Sequence, residues 1–259
     1  MKKTAWRGRL AVLAAALSLL GIWQIASFFM DPWLLPGVPA TMVRLVKLVA
    51  QPAFAMALQE SLIRLFVGYG IAVALGGLLG LLAGISRGFA GYLRSLIAIL
   101  QSIPPITWAP FLIILFGFGN TPVIIVVGIA SFFPMALAVM NATESTSRTH
   151  LEVARVLGAS RWQLLTKVYA PEALPAFVTG AQLAFGNAWR SLVAGEMVVG
   201  ATKGLGGSIK FAGEVADMAG VLAGIVIIGV IASVIDHVVL EQVKRRLLPY
   251  RNTSGGEAA

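Results

Sequence analysis

The chain of 259 residues is 58% hydrophobic and 12% charged, with a mean hydropathy of +0.86. That is more apolar than a water-facing surface tolerates, and it makes a lipid bilayer the natural solvent. With no cysteine and two isolated histidines, His150 and His237, disulfides, thiolate metal sites and familiar metal-ligand spacings are excluded. A formal charge of +9 suits either nucleic acid or a membrane face, and the placement of the basic residues decides between them.

Six apolar stretches of bilayer-spanning length occur, at about residues 10–29, 61–85, 93–117, 122–142, 174–199 and 219–241. The first follows a basic start but leads into Asp31-Pro-Trp33 rather than a small-residue cleavage site, so it reads as a retained span. Between the first two spans, the run Leu34-Leu-Pro36-Gly37-Val-Pro39 interrupts helix repeatedly before an amphipathic stretch near residues 40–50 that is expected to lie along the outer surface. The second span carries Gly76, Gly80 and Gly84, a small-residue ridge for close helix packing, within one subunit or between two. Glu60 and Arg64, four apart, read as a local helix pair. In the third span, Pro104-Pro105 predicts a kink.

With both ends inside, the inner segments collect 14 of the 20 Lys and Arg residues, as the positive-inside rule expects of a six-span protein. Nucleic acid is then not needed to explain the charge. The division is a cytoplasmic N-terminus over 1–9, a transmembrane domain over 10–250 and a disordered cytoplasmic tail over 251–259, the tail being small and polar.

Residues 143–173 form the long inner connection, and they carry helical grammar. Leu151, Ala154, Val156 and Leu157 give a first helix an apolar side, and Gly158 supplies a left-handed end. Ser160 with Gln163 makes a capping-box pattern, and Pro171 limits the helix that follows. A helix-turn-helix of this kind suits docking to a soluble partner; a loop resting on lipid headgroups is the alternative.

In the fifth span, Thr179, Gln182, Gly186, Arg190, Val193 and Glu196 fall within about a third of a helical turn. Ionisable residues inside a span normally face a bundle interior or wet cavity, which makes Arg190 and Glu196 candidates for a solute path. Structurally, Arg190 could instead pair with a carboxylate, and Glu196 could lie at headgroup level. Asp236 and His237 read as interfacial. No run matches G-x-x-x-x-G-K-[ST], and Gly204-Leu-Gly206-Gly207 reads as an outer loop rather than a phosphate site. Neither a nucleophile elbow nor an H-E-x-x-H pair occurs, so catalysis by this chain is unsupported.

The segment EVARVLGASRWQLLTKVYAP, from Glu152 to Pro171, resembles the EAA loop of permeases from ATP-binding-cassette importers. Glu152, Ala154, Gly158 and Pro171 match in register, while Val153, Val168 and Ala170 depart from the pattern. Ser61-Leu-Ile-Arg64, Pro104-Pro-Ile-Thr-Trp108-Ala-Pro110 and Ala201-Thr-Lys-Gly204-Leu-Gly206 resemble the taurine, aliphatic-sulfonate and nitrate branch.

The resemblance implies an all-α, six-span permease of the type I importer kind in the bacterial inner membrane. It implies a homodimer with its path between subunits, two copies of an ATPase subunit that bind ATP and Mg, and a periplasmic or lipid-anchored solute-binding protein. Glu152, Ala154, Arg155, Gly158, Ala159, Ser160, Arg161 and Pro171 would belong to the ATPase-coupling surface. The expected solute is taurine or another sulfonate, with nitrate, bicarbonate, cyanate or small nitrogenous compounds still open. A gradient-driven secondary transporter and a non-transporting membrane scaffold are the alternatives from other classes.

Overall fold

The computed structural model describes residues 2–200 and 203–236, with side chains from residue 14 onward. Regular structure among them is helical throughout: α1 (Lys2–Phe28), α2 (Val38–Val49), α3 (Pro52–Ile85), α4 (Arg87–Gln101), α5 (Ala109–Phe116), α6 (Asn120–Glu144), α7 (Arg148–Val156), α8 (Arg161–Leu164), α9 (Ala170–Val199), α10 (Leu205–Glu214) and α11 (Met218–Val234). The expected tail at 251–259, His237, Ala201 and the basic run from Lys244 lie outside the described residues.

The core is a packed triplet of α3, α6 and α9. Along α3, Gly68, Ala72, Gly76, Gly80 and Gly84 recur every four residues and turn one small-residue stripe towards α6. A Cβ on Gly68 would stand 2.6 Å from the Ile124 carbonyl oxygen, on Gly76 2.9 Å from that of Phe132, and on Gly80 2.5 Å from that of Ala136. The stripe therefore serves contact inside one subunit, where missing side chains let two backbones touch. Because contacts advance in the same direction along both chains, α3 and α6 run parallel, with the α4–α5 segment as the return between them. On the other side of α6, Gly180 meets Ala138 and Met135 while Gly195 meets Val123 and Val126, so α9 runs antiparallel.

The third apolar stretch is broken. Pro104 and Pro105 cannot donate backbone hydrogen bonds, and the chain passes through a 3₁₀ turn at Pro105–Trp108, bending by 79° between Arg87–Gln101 and Pro105–Phe116. Among the described residues, Pro52–Ile85 and Asn120–Glu144 are long and apolar enough to cross a bilayer, and this bent pair makes a third candidate. Helix α9 has the length, but Glu172, Gln182, Asn187, Arg190 and Glu196 dilute its apolar character.

The connections sort to two ends. Residues 143–173 and the start of α4 share one, where Arg94 bonds Asn141 at 2.9 Å and Glu144 at 2.5 Å. Helices α2, α10 and the N-termini of α3, α6 and α11 share the other. There Arg44 of α2 bonds Asp217 through Nε (2.8 Å) and Nη2 (2.5 Å), while Asp217 caps α11 by accepting from the Gly220 N–H at 2.9 Å. Burial pushes the Asp217 carboxyl up, but its bonds from Arg44 and the Gly220 amide outweigh that and hold it below its ordinary value. Helix α1 joins α2 through the Trp23 indole on the Pro36 carbonyl (3.1 Å) and the Val38 N–H on Gln24 (2.9 Å).

The backbone contact between α3 and α6 makes a direct prediction. Gly80→Val is expected to cost about 1–3 kcal/mol through overpacking, read as a lower unfolding temperature in detergent. Gly70→Ala, where nothing lies within 4 Å of the added carbon, should leave that temperature unchanged or raise it.

Candidate functional site

The fifth apolar stretch divides its polar residues between two environments. Thr179 and Arg190 are exposed on α9 and Gln182 and Gly186 are half-buried, so these four form an open polar face on this chain. Arg190 donates to Asn187 Oδ1 at 2.6 Å and, among the described residues, pairs with no carboxylate. Glu196 is completely buried instead. At 100° per residue, the six steps from Arg190 to Glu196 leave them about 120° apart, enough to turn one outward and the other into the core. Glu196 therefore neither faces the Arg190 side nor sits at a headgroup-exposed position.

The Glu196 carboxylate is the centre of a polar junction. It accepts from Arg64 Nη1 at 2.6 Å, from Ser61 Oγ at 2.7 and 2.9 Å, and from the Gly206 N–H at 2.9 Å. Ser61 Oγ in turn accepts from the Leu205 N–H at 2.9 Å, and Arg64 Nε donates to Asn120 Oδ1 at 2.8 Å. Four helices, α3, α6, α9 and α10, thus meet at one carboxylate and its guanidinium. The local Glu60 pair is the weaker arm, at 3.5 Å. Arg64 therefore belongs chiefly to a residue 132 positions away, not to its i−4 neighbour as the spacing implied.

Gly204-Leu-Gly206-Gly207 also changes character. The run opens α10 rather than forming a loop, and its first amides satisfy Ser61 and Glu196. A Cβ on Gly204 would lie 2.6 Å from the Glu196 carboxyl carbon, and one on Gly206 2.5 Å from the Val193 carbonyl oxygen. Close approach to a buried carboxylate, not a turn, requires these glycines, while the helix N-terminus favours the negative charge. Beside this junction, α2, α3, α10 and α11 line a partly open cavity of about 640 Å³ whose wall includes Arg44, Phe54, Leu205, Lys210 and Asp217. It includes neither Arg190 nor any residue of the 143–173 segment.

At the opposite end the helix-turn-helix is present. Gly158 is left-handed at φ +81°, and both halves of the capping box form: Gln163 N–H to Ser160 Oγ at 3.3 Å and Ser160 N–H to Gln163 Oε1 at 2.8 Å. Its apolar side is split. Leu151 and Ala154 are half-buried, whereas Val153, Val156, Leu157 and Trp162 stand exposed, Val156 at 88%. Glu152, Arg155, Gly158, Ser160, Arg161 and Pro171 are exposed and Ala159 is half-buried. Pro171 does not stop the helix. A π-helical turn at Leu165–Tyr169 leads from α8 into α9, with Pro171 in the first turn, where its missing N–H is no loss.

The chain matches the family described as binding-protein-dependent transport system inner membrane component over residues 76–247. It is 33% identical over 249 residues to the taurine transport system permease protein of Escherichia coli (strain K12), covering 94% of this chain and 88% of that protein. It is 31% identical over 258 residues to the putative aliphatic sulfonates transport permease protein of Bacillus subtilis (strain 168), covering 98% and 91%. A solved chain of the MetNI methionine ABC transporter in an inward-facing conformation is similar in fold, with TM-score 0.65 and 22% identity over 76% of this chain and 99% of that one.

The junction predicts an asymmetric response to mutation. Glu196→Ala, which leaves the buried Arg64 with only its long Glu60 contact and Asn120, is expected to lower stability by up to about 3–5 kcal/mol. Replacing Arg64 and Glu196 together by Met should recover a large part of that loss, as read by thermal or denaturant unfolding in detergent; a double variant no better than Glu196→Ala would show that the charges do not act as a pair.

Proposed function

The chain belongs to the binding-protein-dependent transport system inner membrane components, and from that premise we propose a six-span permease that carries a sulfonate such as taurine. As a permease component it forms the membrane part of an ABC-type importer for a small solute and is not an enzyme. The proposed complex holds two copies of this chain, two ATPase subunits that bind ATP and Mg, and a periplasmic or lipid-anchored solute-binding protein. The observation that carries the reading is the family match, which spans the exposed helix-turn-helix at 143–173.

In this reading that segment lies in the cytoplasm, with both termini, and docks on the ATPase. Val153, Val156, Leu157 and Trp162 offer apolar area unclaimed by the chain's own core, and Glu152, Arg155 and Arg161 provide charges for a polar partner. Helix α2 and the α10 region then face outward. The exposed side of α9, with Thr179, Gln182, Gly186 and Arg190, borders the path between two subunits. A guanidinium there with no carboxylate partner among the described residues lowers the barrier for an anion, which favours a sulfonate; nitrate and bicarbonate remain chemically compatible. Glu196, sealed in the polar junction, is assigned a structural role.

The first test is native mass spectrometry of the genomically expressed protein after mild solubilisation. Two copies with two ATPases are expected, whereas a reproducible ATPase-free complex, with intact ATPase in the extract, favours a gradient-driven carrier. In vesicles, taurine uptake should require ATP and the binding protein. Arg190→Ala is expected to reduce uptake about tenfold or more with assembly intact, the worth of one hydrogen bond to a charged group. Gly158→Pro or Glu152→Arg should weaken ATPase association while leaving the permease in the membrane; unchanged association in both variants counts against the docking surface.

A further inference from the structure

The docking helix α7 has no fully buried residue; Leu151 and Ala154 are half-buried, and it touches α8 and the π-helical turn, so apolar packing anchors it only in part. Its N-cap, Ser147, makes no capping bond with its side chain. The cap comes instead from another helix: Glu172, in the first turn of α9, accepts from the Ser147 N–H through Oε2 at 3.1 Å. Its second oxygen, Oε1, pairs with His150 Nδ1, inside the first turn of α7. One carboxylate thus occupies the N-terminus of α7, where the helix dipole favours negative charge, and holds a side chain of the same turn.

We propose that Glu172 is a positioning residue for energy coupling, the strut that fixes docking helix α7 to pathway helix α9. Covalently, α7 reaches α9 only by way of the turn at 157–160, with Gly158 left-handed, and then α8 and the π-helical turn. A force applied to α7 along that route alone can be absorbed by rotation at the turn. The Glu172 contacts close the triangle, so a displacement of α7 is delivered directly to the first turn of the helix that carries Arg190. Glu172 touches neither the proposed solute path nor the exposed ridge, and acts through α7. The proposal rests on the reading of 143–173 as the ATPase-docking segment.

The test uses the complete transporter with its ATPase and binding protein, reconstituted in liposomes. Glu172→Ala is expected to leave ATPase association and basal ATP hydrolysis unchanged while the solute imported per ATP falls roughly three- to thirtyfold. His150→Ala should cause part of the same loss, and the double variant should be no worse than Glu172→Ala alone. Because the chain has no cysteine, a His150→Cys/Glu172→Cys pair can be bridged by a short, reducible thiol-reactive linker. Bridging should restore import per ATP, and reduction should abolish it again. Unchanged coupling in Glu172→Ala overturns the strut, as does a bridged pair that remains uncoupled. A wild-type chain that binds no ATPase instead overturns the docking assignment on which the strut depends.

Discussion

A carboxylate in the interior of a helical bundle must find its partners or cost the fold several kcal/mol, and Glu196 of α9 finds them on two other helices, α3 and α10, while α6 joins through Arg64. The guanidinium of Arg64, the Ser61 hydroxyl and the Gly206 amide saturate it, while Asn120 and Leu205 saturate Arg64 and Ser61 in turn. The net worth of such a pair against an apolar replacement is small. Its value here is geometric: α10 cannot rotate or slide without taking the Gly206 amide from the Glu196 carboxylate and the Leu205 amide from the Ser61 hydroxyl. The glycines at 204 and 206 are subordinate to this requirement, because a side chain at either would occupy the space of the carboxylate or the α9 backbone.

The junction also links two packed groups. Helices α3, α6 and α9 form one, through the small-residue stripe of α3 and the apolar cluster around Leu65, Val126, Phe185, Trp189 and Leu192. Helices α2, α10 and α11 form the other, closed by Arg44 on the α11 cap Asp217. Helix α10 packs on α9 and α11 alike, so fixing its N-terminus sets how the second group is carried on the first.

What could be read in the sequence was what depends on neighbours along the chain. The Ser160–Gln163 capping box, the left-handed Gly158, the break at Pro104-Pro105 and the four-residue glycine spacing each follow from local stereochemistry, and each has its expected geometry. What could not be read depends on partners far apart in the chain. Arg64 has a carboxylate four residues away, and periodicity cannot weigh Glu60 against Glu196. Glycines at 204–207 looked like a loop because close approach to a distant side chain leaves no local mark. A polar stripe a third of a turn wide takes in both Arg190 and Glu196, although that width reaches from one face of α9 to another. Pro171 looked like a stop because a π-helical turn ahead of it has no sequence signature of comparable strength.

That π-helical turn has a mechanical consequence. It lets the chain run in helical conformation from Arg161 to Val199, a length of up to about 58 Å at 1.5 Å per residue, which is already against α6 by its middle, where Gly180 lies on Ala138 and Met135. Beyond that point the helix stays on α6 as far as Gly195, which lies on Val123 and Val126, and Glu196 is tied into the junction; the Arg161 end is thus the overhanging part of a beam clamped along its other half, and a push there is borne by α6 as well as by α9.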